Sequence, residues 1–144
     1  MQDFPHHYTV AATGEPSGDV AIEGNRLRTL YSAAPVEFDG PGDRWSPETL
    51  LCAAVADCYL LSFRGVARAG KIAWKSLGCS VRGTLERVEG KTRFTRIEVE
   101  AALVVPEGTD HGKAAQAMER AERVCLISNS LVAERHLAAT VTVG

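Results

Sequence analysis

The stretch from Ser46 to Gly70 restricts the fold of this chain more than any other. Ser46 is a favourable N-cap, Pro47 suits the first helical position, Glu48 favours the positive end of a helix dipole, and Gly70 can close the far end. The spacing predicts one helix over about Pro47 to Ala69. From Leu50 to Ala56 that helix is apolar on every side except at Cys52, the pattern of a helix buried all round. So small a domain has too little sheet in one copy to cover such a helix on every face.

The rest of the chain reads as strands and one further helix. HYTVAAT, DVAIE and RLRTLYS, between about His7 and Ser32, are short β-prone runs separated by the turn chemistry of GEPSG and GN, and predict a three-stranded meander. The glycines and prolines of AAPVEFDGPGDRW predict a loop without a regular element. In SLGCSVRGTLERV, residues Leu77, Cys79, Val81 and Leu85 share one face by period two; after an EGK turn, RFTRIEVEAALVV alternates likewise, with Ile97, Val99, Ala101, Leu103 and Val105 inward. These two runs predict a hairpin. A helix over about His111 to Val124 aligns Ala114, Met118, Ala121 and Cys125 on its core side. A last strand, about Arg135 to Val143, is expected to turn Leu137, Ala139, Val141 and Val143 inward. The expected class is α+β with antiparallel sheets around a long buried central helix.

Composition narrows the function. A length of 144 residues is close to the commonest domain size, so a single domain over residues 1–144 is expected, and 45% hydrophobic residues build its core without disulfide or metal staples. The formal charge is -2 and the Lys and Arg residues are dispersed, which leaves no basic stripe for nucleic acid. No run approaches the ~18 consecutive apolar residues of a membrane span, and MQDFPHHYTV shows no export leader, so a cytoplasmic, reducing setting without membrane partners is expected. The histidines at 6, 7, 111 and 136 lack ligand spacing and there is no CxxC or HExxH, so no metal is expected. The chain also has no GxGxxG after a strand, no Walker loop and no GxSxG elbow, and no cofactor is expected.

Thiols remain as the reactive groups. Cys52 and Cys58, six residues apart on one helix, are separated by ~9 Å and cannot pair there. Cys79, on a strand among aliphatic residues, and Cys52 read as small buried hydrophobes. The residues by themselves assign Cys125 no more than that.

Two stretches carry a resemblance that spans about Trp45 to Leu131. SPETLLCAAVADCYLL, with Glu48 ten positions before Cys58, and ERAERVCLISNSL, which contains Cys125, resemble the central helix and the second-cysteine motif of the OsmC/Ohr family, the osmotically inducible and organic hydroperoxide resistance proteins. The order meander, long helix, hairpin, helix, strand is also that family's. The resemblance implies an OsmC-like fold in an intertwined homodimer and a thiol-dependent peroxidase of oxidative-stress defence. In that reading Cys58 is the peroxidatic thiol, Cys125 the resolving thiol and Glu48 the partner of an active-site arginine. The substrate would be an organic hydroperoxide and the reductant a dithiol, for instance one of lipoyl type. A thiol mid-helix gains nothing from the helix dipole, so Cys58 needs a cation. Where the family places arginine, this chain has TGEPSG and VEFDG, the second with Glu37. Arg44 beside the helix start, and Arg26 and Arg28 on the third strand, are the available substitutes.

A different class of function also fits the residues: a non-catalytic module whose helix lines a pocket for an apolar molecule, with idle or redox-sensing cysteines and with Tyr59 and Phe63 as pocket aromatics. Helix geometry bears on assembly as well. Ten residues of one straight helix separate Glu48 from Cys58 by ~15 Å, so the two can meet only if two copies of the helix cross antiparallel near Ala53 about a two-fold axis.

Overall fold

The computed structural model describes residues Met1–Gly144, which fall into two compact units, Met1–Leu50 and Leu51–Gly144. The first unit holds an antiparallel sheet ordered β1 (Ala11–Thr13), β2 (Val20–Glu23), β3 (Leu30–Ser32). The expected meander is there, with strands shorter than the β-prone runs. The following loop contains one 3-10 turn at Val36–Phe38, a short regular element where none was expected. It ends in Asp39 with φ 62, and a Cβ on Gly40 would lie 1.6 Å from the carbonyl oxygen of Ala34, so only glycine fits there.

Helix α1 spans Pro47–Ala69, as its end signals predict. Its first turn closes with a reciprocal cap: the Thr49 N–H donates to Ser46 Oγ at 3.1 Å and the Ser46 N–H donates to Thr49 Oγ1 at 2.8 Å. The helix is long and apolar enough to cross a membrane. Here it serves a protein core. Val55, Tyr59, Phe63 and Ala67, spaced by four, are buried in one stripe.

The expectation that α1 is buried on every side is corrected in the single chain. Leu61 is 52% exposed and the rows beside the buried stripe are only half-buried, because one three-stranded sheet covers one face of a helix.

The second unit's sheet is ordered β4 (Ser76–Val88), β5 (Lys91–Val105), β6 (Glu134–Val143). Glu89 and Gly90, with φ 51 and 77, form the two-residue turn between β4 and β5, and left-handed backbone at both positions matches the twist of the flanking strands. Ile97, Val99, Ala101, Leu103 and Val105 all face the core. The register shifts at Thr84/Leu85, where Thr95 is an extra residue on β5, and this bulge leaves Leu85 exposed against expectation.

The expectation of antiparallel sheets throughout is also corrected, since β6 pairs parallel to β5 from Arg96 to Val105. The chain between them is a helical crossover, α2 (His111–Val124) and α3 (Leu126–Asn129), and a crossover delivers a parallel strand. As an edge strand, β6 packs only Leu137 and Val141 against the core and leaves Ala139 and Val143 exposed.

The core joins the α1 stripe to the inner row of β5 and to Ala114, Ala117, Met118 and Ala121 of α2. Phe63, fully buried, meets Trp74 edge-on at 5.3 Å. Phe63→Ala is expected to lower the unfolding free energy by about 3–5 kcal/mol, readable in urea titration.

Candidate active site

Cys58 lies midway along α1, one step around the helix from the buried Tyr59, and this position leaves it half-buried at the core's edge. Its sulfur is 3.9 Å from Ser62 Oγ, one turn on. Beside it opens a groove of about 420 Å3 whose walls include Ala54, Leu61, Leu126 and Ile127. Asp57 is the one charged residue in that lining, which contains no cation. A larger groove of about 760 Å3 runs between the end of α1 and α2, and its lining holds no thiol.

Cys125 sits at the corner between α2 and α3 with extended backbone, φ -63 and ψ 103, and is 1% exposed. Burial pushes its thiol up from the usual value, and the neighbouring Cys58 thiol adds to the rise. The hydroxyl and the N–H of the nearby Ser128 oppose that rise. The structure thus brings Cys58 and Cys125 side by side, both as free thiols.

The other two cysteines are packed. Cys79 on β4 donates to the Ala56 carbonyl at 3.6 Å, and burial first, then Cys125, push its thiol up. Cys52 lies against Gly83, where an added Cβ would come within 2.9 Å of its sulfur, and burial raises it too. Each of these buried thiols, and Tyr59 with them, holds its proton more tightly folded than unfolded. With folded values raised above the usual 9.0 of a thiol, the unfolded chain loses protons first as pH rises. Stability is therefore complete below about pH 9 and declines above it. Urea midpoints should fall between pH 8 and pH 10, with the shift reduced in Cys52→Ala.

Arg44 and Glu48 belong to the first unit. Arg44 Nε bonds Asp19 Oδ2 at 3.0 Å and its Nη1 lies 3.4 Å from Asp43 Oδ2, so two acids already engage this guanidinium. Glu48, in the first turn of α1, has one buried carboxylate oxygen, Oε2, without a hydrogen-bond partner. The structure pairs neither residue with a thiol. Tyr59 and Phe63 fill the core rather than a pocket, and the Tyr59 hydroxyl donates to the Met118 carbonyl at 3.2 Å.

Three participants went unread in the sequence. Ser128 follows Cys125 by three residues, a spacing that suits a hydroxyl reaching back to the start of a helix and that was available as a signal. Asp57 and Ser62 flank Cys58 by one and four residues, and only the groove gives them meaning.

Comparison with known proteins agrees with this architecture. A curated relative, the uncharacterized protein YmaD of Bacillus subtilis, is 26% identical over 146 residues, covering 96% of this chain and 97% of its own. An OsmC-like protein of unknown function from Vibrio cholerae superposes with TM-score 0.86 at 17% identity, covering 94% of this chain and all of that one. An organic hydroperoxide resistance protein from Elizabethkingia anophelis, with thiocyanate bound, superposes at 0.75 and 22% identity, covering 98% of this chain and all of that one. At these identities the structural likeness establishes the fold. The family model of the OsmC-like proteins matches residues 40–138, from ahead of α1 into β6, and the chain belongs to that family.

Proposed function

We propose that this protein is a thiol-dependent peroxidase that reduces organic hydroperoxides. The observation that carries the reading is the pairing of an accessible thiol, Cys58, in an apolar groove with a second thiol, Cys125, buried behind it. The Cys58 thiolate attacks one peroxide oxygen, the O–O bond breaks, the alcohol leaves after taking up a proton, and Cys58 becomes a sulfenic acid. The Cys125 thiol then attacks the oxidised sulfur, a disulfide forms and water leaves. A dithiol restores both thiols by exchange and is itself oxidised to a disulfide. Leu61, Leu126 and Ile127 favour a substrate with an apolar organic group over hydrogen peroxide.

Activation of Cys58 requires a cation that its groove lacks. The orphaned Glu48 Oε2 is a buried acceptor in need of a donor, and its helix keeps it ~15 Å from Cys58 of the same chain. An antiparallel pair of α1 helices in a homodimer meets both needs, bringing Glu48 of one copy, with an arginine held by it, toward Cys58 of the other. Arg26 and Arg28 form no ion pair within the chain and supply that arginine more readily than Arg44, which is engaged by Asp19 and Asp43.

Intact mass before and after one equivalent of cumene hydroperoxide tests the chemistry. Loss of two hydrogens, mapped by digestion to Cys58 and Cys125, is the expected result; a bridge from Cys58 to another cysteine contradicts it. Cys125→Ser is expected to react once and then accumulate sulfenic and sulfinic acid at Cys58, seen as mass gains of one and two oxygens.

A further inference from the structure

Cys125 occupies a corner with little local support. It is the single extended residue between α2 and the four-residue α3, and so short a helix does not hold itself. The Cys125 N–H donates to the Glu122 carbonyl at 3.3 Å, and the Cys125 carbonyl accepts from the Asn129 N–H at 2.9 Å. Both neighbours are gripped by one side chain from β6. Arg135 Nε donates to Glu122 Oε1 at 2.6 Å, its Nη2 donates to the Glu122 carbonyl that Cys125 also uses, and its Nη1 donates to Asn129 Oδ1 at 2.6 Å. Asn129 in turn donates from Nδ2 to the Arg123 carbonyl at 3.2 Å.

We infer that Arg135 is the positioning residue of Cys125: its guanidinium, bonded to Glu122 and Asn129, holds the corner at which the buried thiol meets Cys58. The inference rests on the peroxidase reading for its purpose, though not for its geometry. The planar fork of arginine reaches three acceptors in fixed directions, which a lysine ammonium on a flexible stem does not. Arg135 and Glu122 are both partly buried, their side chains 25% and 19% exposed, so water screens the pair less than it screens a surface bridge. None of the three belongs to the apolar core cluster. Closure of a disulfide requires the two Cα atoms within a window of a few ångströms, and a misplacement of about 1 Å is enough to slow a positioned reaction by up to about a hundredfold.

Two measurements test this on the full-length chain. The first is the equilibrium of the Cys58–Cys125 disulfide in glutathione redox buffers, read by intact mass in Cys52→Ala/Cys79→Ala, a background without the other two thiols. This measures how closely the pair is pre-set and needs no peroxide. Arg135→Ala is expected to lower the equilibrium constant by about tenfold or more, with Arg135→Lys and the exposed-site variant Asn129→Ala falling between. The second is the ratio of disulfide to Cys58 sulfinic acid after limiting cumene hydroperoxide; it should fall in the same order. Equal equilibrium constants in wild type, Arg135→Lys and Asn129→Ala would overturn the inference, whether or not Arg135→Ala folds. A wild-type chain that forms the disulfide in glutathione but never reacts with the hydroperoxide would overturn the peroxidase reading alone.

Discussion

Cys58→Ser is expected to bring peroxide consumption down to the background of the dithiol itself, when the protein is mixed with dithiothreitol and cumene hydroperoxide and residual peroxide is followed. The loss should be complete because no other thiol in the chain shares the site's properties. Cys125 is 1% exposed, Cys79 is tied to the Ala56 carbonyl, and Cys52 is packed against Gly83. Serine keeps the size of the side chain and removes the nucleophile, since its hydroxyl does not ionise near neutral pH. Equal rates for wild type and Cys58→Ser would sink the peroxidase proposal.

The second large effect concerns assembly. Light scattering should give a mass near twice 15.5 kDa, and dilution should lead to loss of structure rather than to a folded monomer. In the single chain α1 buries one stripe and leaves Leu61 52% exposed, with Leu126 across the groove at 65%. In the proposed dimer a second copy would cover Leu61 and Leu126 and would also bring Glu48 and its arginine to Cys58. Leu61→Glu should therefore weaken association and activity together. A monodisperse, folded monomer at micromolar concentration would refute the shared site and the role of Glu48.

Much of the fold was legible because short-range physics determines it. The caps at Ser46 and Gly70 delimit α1, and Glu89-Gly90 sets the register of β4 and β5 through a turn that no longer loop would reproduce. Alternation over thirteen and fifteen residues then decided which face of each strand turns inward, with Leu85 as the exception. That exception is a bulge, which depends on how two strands pair and not on either strand alone. The all-round apolar character of α1 was also read correctly as a sequence, while its half-open state in one chain depends on what is present to cover it.

The site divides along the same line. Its two cysteines stood out through resemblance to a family, whereas periodicity left Cys125 as one more core residue at the end of a helix. Sequence by itself determined the elements and the inner faces of the hairpin, because these follow from contacts within a few residues or across one turn. Only the tertiary structure decided that Cys125, sixty-seven residues later, lies against Cys58, that β6 returns parallel, and that Arg135 grips the Cys125 corner from another strand. Those outcomes belong to packing between distant segments, where each partner's position is set by the core between them and no local pattern records it.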